Sequence, residues 1–488
     1  MSPEFVLSFR PDVVLIPPTE NQPTENQQFL LQSCDRRLTL KNATPALKTA
    51  LETLKNAGAT PSQFKNIFQE KEGFLATQIK VNKYLKKFAD LGWLCYSIVA
   101  ENNQIAIAIP LASDFLINPD KLSSNITANQ YIISRFAYCH QVAGETVLES
   151  PLFSGKIILN WQGAALVASL SKPQNINPQN INNISLQIPG ISPEIVAQFM
   201  SLLFACKMLT EVTENNNNIA ETETHTLAQW EFHDLLFHSR SRVGRHANPS
   251  GGTFRFKGKI EPLPVVKPFI SGDLINLYKP DLEQLKITDI PFTQVLENRK
   301  SIRHWGESPI TAEQLGEFLY RSARIKEMFD SDYGGISTRP YPNGGAICEL
   351  EIYPIIYHCE GLNVGLYHYR PDSHQLNYIS EITPTVEMLL IDAAHSGVEK
   401  IPPILLVISA RFQRLAWKYE SLAYALILKD LGCLYQTMYL VATAMNLAPC
   451  ALGGGNSDLF VKAVGCDYYA ETSVGEFVIG SCDLKSKD

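Results

Sequence analysis

Hydrophobic residues along this chain change their spacing several times, and each change marks an element. Two short apolar runs come first, Phe5–Phe9 and Val13–Ile16; runs of that length bounded by polar residues predict strands. The polar stretch from Pro17 to Gln28, with its near-repeat Pro-Thr-Glu-Asn-Gln, predicts a solvent loop. Helical patterns follow at 44–56, 60–69 and 75–91. The second opens on Thr60-Pro61, a cap followed by a first-turn proline. The third places Val81, Tyr84, Leu85 and Phe88 at i, i+3, i+4 and i+7, an amphipathic stripe. Trp93–Val99 and Ile105–Ile109 flank a polar turn at Glu101-Asn102-Asn103 and predict a hairpin. Strands, three helices and a β-wing give residues 1–112 the outline of a winged helix-turn-helix.

Residues 126–240 repeat this theme more weakly, with strands at Tyr131–Tyr138 and Thr146–Leu152 and helices at Gly163–Leu170 and Pro193–Met208. The asparagine-rich stretch Lys172–Asn183 reads as a low-complexity, mobile insert. Glu211 to Thr224, with four consecutive asparagines, reads as the clearest linker. An amphipathic helix around Trp230, Phe232, Leu235, Leu236 and Phe237 closes the segment. Residues 241–284 form a proline-spaced extended arm that cannot build a core of its own and is expected to wrap over another surface. In 285–488, Leu296, Leu315 and Leu319 mark helices, and Glu351–His358, Gly365–Tyr369, Ile404–Ser409 and Gly475–Ile479 mark strands. Glu420–Asn446 is apolar on nearly all sides and predicts a long central helix buried all round. Helices and strands mix without a regular β-α-β beat, so the fold class is α+β.

A chain of 488 residues predicts two to four domains. Its 45% hydrophobic and 19% charged content is an ordinary globular balance, and a net charge of −7 argues against a whole-protein nucleic-acid binder. There is no basic, apolar signal segment and no run long enough to span a membrane, which predicts a cytoplasmic protein. The ten cysteines are scattered without a C-x-x-C, as expected of reduced thiols. His233, His238 and His246 lack the spacing of metal ligands, and no metal site is expected.

The chemistry lies in four short segments. Arg299-Lys-Ser301-Ile-Arg303 follows a helix that can start at Pro291 and run to Asn298. If the chain then extends, Arg299, Ser301 and Arg303 share one face, and two guanidinium forks with a hydroxyl suit a terminal phosphate. Gly453-Gly454-Gly455 is bare backbone able to lie against a flat ring, and Asn343-Gly344-Gly345-Ala346 offers an amide and close approach. The chain has neither the dinucleotide nor the P-loop fingerprint, so a phosphate-bearing planar cofactor outside both points to flavin mononucleotide (FMN). Lys418-Tyr419 directly precede the central helix, where a lysine can act as a base and a tyrosine can relay a proton. Each segment also has a plain reading as a helix end, a turn or a surface pair. Lys80, Lys83 and Lys87 share a helix face that suits phosphates or an acidic peptide, or simply solvent.

Together these segments resemble the FMN-dependent nitroreductase superfamily. More narrowly, Ser241-Arg-Val-Gly-Arg-His246, Gly251-Gly252-Thr253, Gly258-Lys259-Ile260, Pro262-Leu-Pro264, Lys418-Tyr419 and the Gly432-x-x-x-Gln436 spacing resemble the azoline dehydrogenases of peptide natural-product pathways. The resemblance implies a dimer that binds FMN at the subunit interface and converts thiazolines or oxazolines in a modified peptide to thiazoles or oxazoles, with dioxygen reoxidising the flavin. It assigns Lys418 and Tyr419 to catalysis, and Arg299, Ser301, Arg303, Asn343, Gly344, Gln436, Gly453 and Gly454 to the cofactor. It also makes the winged-helix-like modules peptide-recognition elements, so that Lys80, Lys83 and Lys87 face a precursor leader rather than DNA. The alternatives are a generic NAD(P)H-dependent nitroreductase and a non-catalytic, flavin-sensing winged-helix regulator.

Overall fold

The computed structural model describes residues 4–16, 28–33, 36–41, 44–69, 74–111, 130–212, 224–246, 248–269, 271–331, 334–398 and 400–482. Most of the Pro17–Gln28 loop and most of the Glu211–Thr224 linker lie outside them. The chain forms two compact units, Met1–Asn248 and Pro249–Asp488.

The first unit begins with β1 (Val6–Phe9), β2 (Val14–Ile16), β3 (Phe29–Gln32) and β4 (Arg37–Leu40). Helices α1 (Pro45–Asn56), α2 (Pro61–Gln69) and α3 (Phe74–Asp90) follow. Thr44 caps α1, accepting from the Leu47 amide at 3.2 Å, and Leu47, Ala50, Leu51 and Leu54 form its buried stripe. Strands β5 (Leu94–Ala100) and β6 (Asn103–Pro110) make the expected hairpin. Its two turn residues, Glu101 and Asn102, have φ of +46° and +67°, as a turn matching the strand twist requires.

Next come β7 (Gln130–Ile133), β8 (Tyr138–Val142), β9 (Glu145–Glu149), β10 (Gly155–Leu159) and α4 (Trp161–Ala168). The predicted strand Tyr131–Tyr138 is in fact two strands, because a turn at Ser134–Ala137 (2.9 Å) divides it. After β11 (Gln174–Asn175) the stretch read as a mobile insert folds into α5 (Pro178–Gln187). Asn177 caps it, accepting from the Asn180 amide at 2.8 Å, proline takes the first turn, and Ile176, Ile184 and Ile188 are buried. The asparagines hide a capped helix whose isoleucines reach a core. α6 (Pro193–Ala205), β12 (Leu209–Val212), α7 (His225–Ala228) and α8 (Phe232–Arg240) complete the unit.

Residues 1–112 and 126–240, read from sequence as two modules, contribute to one six-stranded sheet in the order β1-β5-β6-β10-β9-β8. The junction is β6 against β10, antiparallel, with Ala108 opposite Ile157. One buried cluster extends from Phe5 to Met208 and includes residues of both stretches.

The second unit starts with the arm. The arm carries β13 (Gly251–Gly252) and β14 (Leu274–Asn276), and α9 (Leu282–Thr288) and α10 (Phe292–Asn298) follow. Then follow α11 (Ala312–Ala323), β15 (Glu327–Phe329), β16 (Ile336–Thr338), β17 (Leu350–Ile356), β18 (Gly365–Arg370) and β19 (Gln375–Ser380). The rest comprises α12 (Pro384–Ala393), β20 (Ile404–Arg411), α13 (Phe412–Ala416), β21 (Tyr419–Glu420), α14 (Ala423–Ala444), β22 (Leu447–Leu452), α15 (Ser457–Val464) and β23 (Glu471–Ser481).

Its centre is a seven-stranded antiparallel sheet, β14-β19-β18-β17-β20-β23-β22, with α11 and α14 on one face and α12 and α15 on the other. The pleat sends Leu350, Ile352 and Ile356 to the first face and Tyr353 and Ile355 to the second. The α+β expectation therefore holds. The central helix departs from its prediction: only the face carrying Ile427, Leu431, Leu434 and Met438 is buried, while Tyr424 and Leu428 are exposed in the single chain. Among the described residues no helix is long and apolar enough to cross a membrane.

Because β6 pairs with β10, residues 1–112 alone expose a long apolar sheet edge. That fragment is expected to aggregate in size-exclusion chromatography. Residues 1–248 are expected to elute as a defined species with one cooperative thermal transition by circular dichroism. A monodisperse, cooperatively folded 1–112 fragment contradicts the shared-sheet assignment.

Candidate active site

Lys418 and Tyr419 stand where β20 leaves the sheet. The short α13 follows, the Lys418 amide closes on Leu415 O at 3.2 Å, and the chain re-extends as β21. Buried Leu415 and Trp417 anchor the turn from below. The arm fixes it from the other side through Gly252–Tyr419 and Gly251–Glu420 pairing. Further along, arm carbonyls accept from the segment's buried side chains. Trp417 Nε1 donates to Ile260 O (2.6 Å), Arg414 Nη1 to Leu263 O (2.6 Å), and Arg411 Nη2 to Pro264 O (2.9 Å). The expectation that the arm covers another surface is met within this unit.

Opposite the turn lies the Asn343–Gly345 loop. A Cβ built on Gly345 would stand 2.5 Å from Tyr419 Oη and 2.6 Å from Lys418 Nζ. Gly345 also has φ +63°, so only glycine allows both side chains to converge there. Asn343 Oδ1 accepts from the Cys348 amide at 3.3 Å, and the Gly344 amide donates to Asp430 Oδ2 at 2.8 Å. Two residues assigned to the cofactor thus use these groups to shape the loop.

Asp430, on the buried face of α14, and Glu349, wholly buried just before β17, are site features the sequence reading missed. As a carboxylate, Glu349 has no donor for either oxygen among the described residues; as an acid it can donate to Asp430. Burial, then the Asp430 charge, pushes Glu349 up to about 8. Burial likewise raises Asp430, opposed by the Gly344 amide. Nearby Arg414 is lowered to about 10 by burial and then by Arg411. A lone acid inside the apolar run of α14, and Glu349 and Glu351 alternating at the start of a buried apolar run, were the available signals.

The donor segment follows α10, with Pro291 at the N-cap position of that helix and Arg299 at its C-cap. Arg299 lies over the Tyr439 ring, 5.4 Å from its centroid, and Ser301 Oγ is 2.8 Å from Tyr439 Oη. The same oxygen accepts from the Ala451 amide at 2.8 Å, and the Ile302 amide donates to Pro449 O at 2.9 Å. The donors and the strand leading into Gly453–Gly455 are thereby fastened together. Arg303 is exposed, as are Gly453 and Gly454, and a Cβ on Gly453 would meet nothing within 4 Å. Guanidinium and hydroxyl donors beside open glycine backbone fit a phosphate and a planar ring, so the residues present suit FMN. Glu476 packs against Gly455, where a side chain would collide with its carboxylate, and burial pushes it up to about 7. Gln436 lies on the exposed face of α14, one turn after Gly432. In the first unit Lys83 and Lys87 are exposed on α3, while Lys80 lies half-buried over the Phe68 ring at 5.8 Å.

The second unit is thus an α+β oxidoreductase domain of the nitroreductase family, whose model matches residues 296–481. Residues 1–118 match the helix-turn-helix domain of the cyanobactin oxidase ThcOx, and residues 131–247 match the cyanobactin oxidase family itself. The chain belongs to the cyanobactin oxidases, within the nitroreductase superfamily. It is 29% identical over 182 residues to the nitroreductase-like protein MJ1384 of Methanocaldococcus jannaschii, covering 37% of this chain and 85% of that one. It is 28% identical over 145 residues to the microcin B17-processing protein McbC of Escherichia coli, covering 28% of this chain and about half (53%) of McbC. A chain of the E. coli microcin synthetase McbBCD complex with truncated pro-MccB17 superimposes with a TM-score of 0.33 at 20% identity, covering 51% of this chain and 86% of that one.

Two outcomes follow from this geometry. Gly345→Ala forces a Cβ against Lys418 and Tyr419 and is expected to lower turnover at least tenfold while the thermal transition moves by only a few degrees. Steady-state kinetics and calorimetry check it. Glu349 holds its proton more tightly folded than unfolded, so the stability it contributes is full below its ordinary value of 4.5 and is lost as pH rises through about 8. Glu349→Gln, neutral throughout and still a donor to Asp430, is expected to flatten the decline of melting temperature across that window.

Proposed function

We propose that this chain oxidises thiazoline or oxazoline rings in ribosomally made peptides to thiazoles or oxazoles, with FMN as cofactor and dioxygen as terminal acceptor. The observation that carries the reading is the convergence of Lys418 Nζ and Tyr419 Oη on Gly345 within a nitroreductase-family domain. Membership among the cyanobactin oxidases and similarity to a microcin-processing protein support a modified-peptide substrate.

Arg299, Ser301 and Arg303 would hold the cofactor phosphate, Gly453 and Gly454 would lie against its ring, Asn343 and Gly344 would shape the loop facing it, and Gln436 would add a polar contact. When bound, FMN supplies the acceptor for a hydride. The protein's own task is proton handling and alignment. A thiazoline carries an acidic hydrogen on the former cysteine Cα, and Lys418 Nζ takes it as a proton. Tyr419 Oη, directed at the same point, orients the ring and relays that proton onward. The ring loses two hydrogens, one as this proton and one as hydride from Cβ, and becomes aromatic; dioxygen receives the two electrons. The absence of a Cβ at Gly345 is what lets both groups reach this point.

The first unit would grip the precursor's leader, a role supported by its match to the helix-turn-helix domain of these oxidases. Lys83 and Lys87 are the exposed candidates on α3, with Lys80 tied partly to Phe68. A homodimer belongs to the same proposal, and the uncovered apolar face of α14 supports it.

A thiazoline-bearing peptide incubated in air with the FMN-loaded enzyme and no nicotinamide is expected to lose two hydrogens per oxidised ring by mass spectrometry. An unchanged mass sinks the proposal, and turnover only with added NADPH would favour a generic nitroreductase. Lys418→Ala is expected to retain flavin absorbance and lose turnover. Arg303→Ala is expected to weaken FMN retention by roughly tenfold to a hundredfold, the worth of one charge-assisted phosphate contact.

A further inference from the structure

Phe254 sits where the arm leaves β13, with its backbone in the left-handed region at φ +52°. A bulky L-residue holds that conformation only when its surroundings impose it. Here they do. Its amide donates to Lys418 O at 3.2 Å, one step beyond the Gly252–Tyr419 pairing, and its carbonyl accepts from the Lys257 amide at 2.9 Å. The ring packs edge-on against Trp417, with centroids 6.1 Å apart. The same ring faces Lys418, whose Nζ lies 5.8 Å from its centroid and 5.2 Å from that of Tyr419. Two aromatic rings and the Gly345 backbone therefore bound the lysine head.

We propose that Phe254 is a positioning residue for Lys418: it holds Nζ over Gly345 between two rings and stabilises the ammonium formed when Lys418 takes the substrate proton. This rests on Lys418 being the base. An aromatic face attracts an ammonium through its quadrupole and is nearly indifferent to a neutral amine. The contact thus strengthens as the proton arrives, which is when stabilisation accelerates a reaction. Arg255 and Glu420, paired with each other at 3.5 Å, are the charged groups beside this junction, and Thr253 Oγ1 donates to Glu420 Oε2 at 2.9 Å. Both lock the strand pairing that sets the ring.

The test uses full-length, FMN-supplemented protein and the variants Phe254→Leu, Phe254→Met and Phe254→Tyr. Leucine and methionine remove the ring face by different shapes, so one serves if the other misfolds, and tyrosine restores it. Acetylation of Lys418 by an N-hydroxysuccinimide ester is followed by peptide mass spectrometry, with exposed Lys429 and Lys462 as internal references. Losing the ring is expected to raise the Lys418 rate by about threefold to thirtyfold against those references, the span of cation–π strengths, with tyrosine within about twofold of the parent. For azoline oxidation, kcat on the high-pH plateau, where the base starts neutral, is expected to fall by a comparable factor at unchanged KM, with tyrosine rescuing it. A parent-like Lys418 acetylation rate in folded Phe254→Leu or Phe254→Met overturns the proposal. Failure of the parent enzyme to oxidise azolines sinks the functional reading instead, and the acetylation rates still decide the placement of Lys418.

Discussion

Arg411, at the end of β20, and Arg414, in α13, carry buried guanidinium groups, and a buried cation without partners costs several kcal/mol. Their partners come largely from elsewhere in the sequence. Arg411 donates to Pro264 O and Val265 O and pairs with Glu351 at 3.3 Å, while Arg414 donates to Leu263 O, Gly335 O and Ile347 O. The arm's backbone therefore completes the electrostatics of the sheet, and the sheet supplies an arm without a core with its reason to be ordered. Lys267 adds a further tie, bonded to Tyr353 Oη (2.5 Å) and Glu471 (2.6 Å). The Lys418–Tyr419 turn is held between these two partners, so its precision depends on buried cations being satisfied several residues away.

A comparable economy operates at the other end of the site. Tyr439 presents one hydroxyl to both Ser301 and the Ala451 amide, and its ring to Arg299. Donors read from sequence as a phosphate cluster and glycines read as a ring platform are joined through this single side chain of α14. The same helix carries Asp430 to the Gly344 amide. One rigid element thus indexes three loops, and this is why the long apolar stretch needs polar residues at just these points on its inward side.

Local structure was legible wherever a local rule governs it. Thr44 and Thr60-Pro61 announce helix starts, the Val81–Phe88 stripe announces a packed face, and the apolar runs of β17, β20 and β23 announce buried strands. Short strands such as β3, β4 and β10 were missed because long-range pairing, rather than their own composition, makes them strands. The Asn-rich stretch around α5 misled because composition was weighed over the Asn177-Pro178 cap. At the site, the residue types were visible but their meeting was not. Nothing local to Lys418 reveals that it ends against Gly345, and nothing local to Glu349 reveals Asp430. The arm's length and proline spacing showed that it must lie on something, without showing on what.

The pairing of β6 with β10 bears on how such chains can be recombined. A helix-turn-helix segment often behaves as a cassette, moved between proteins at its flexible borders. Here the border is crossed by a ladder in which Ile107 meets Ile158 and Ala106 meets Leu159. A donor segment from a relative would have to match that register and the pleat of its partner strand, since a slip of one residue turns every side chain to the wrong face. Exchange of this segment between members of the family is therefore constrained by strand registry, and the natural unit of transfer is the whole first 248 residues.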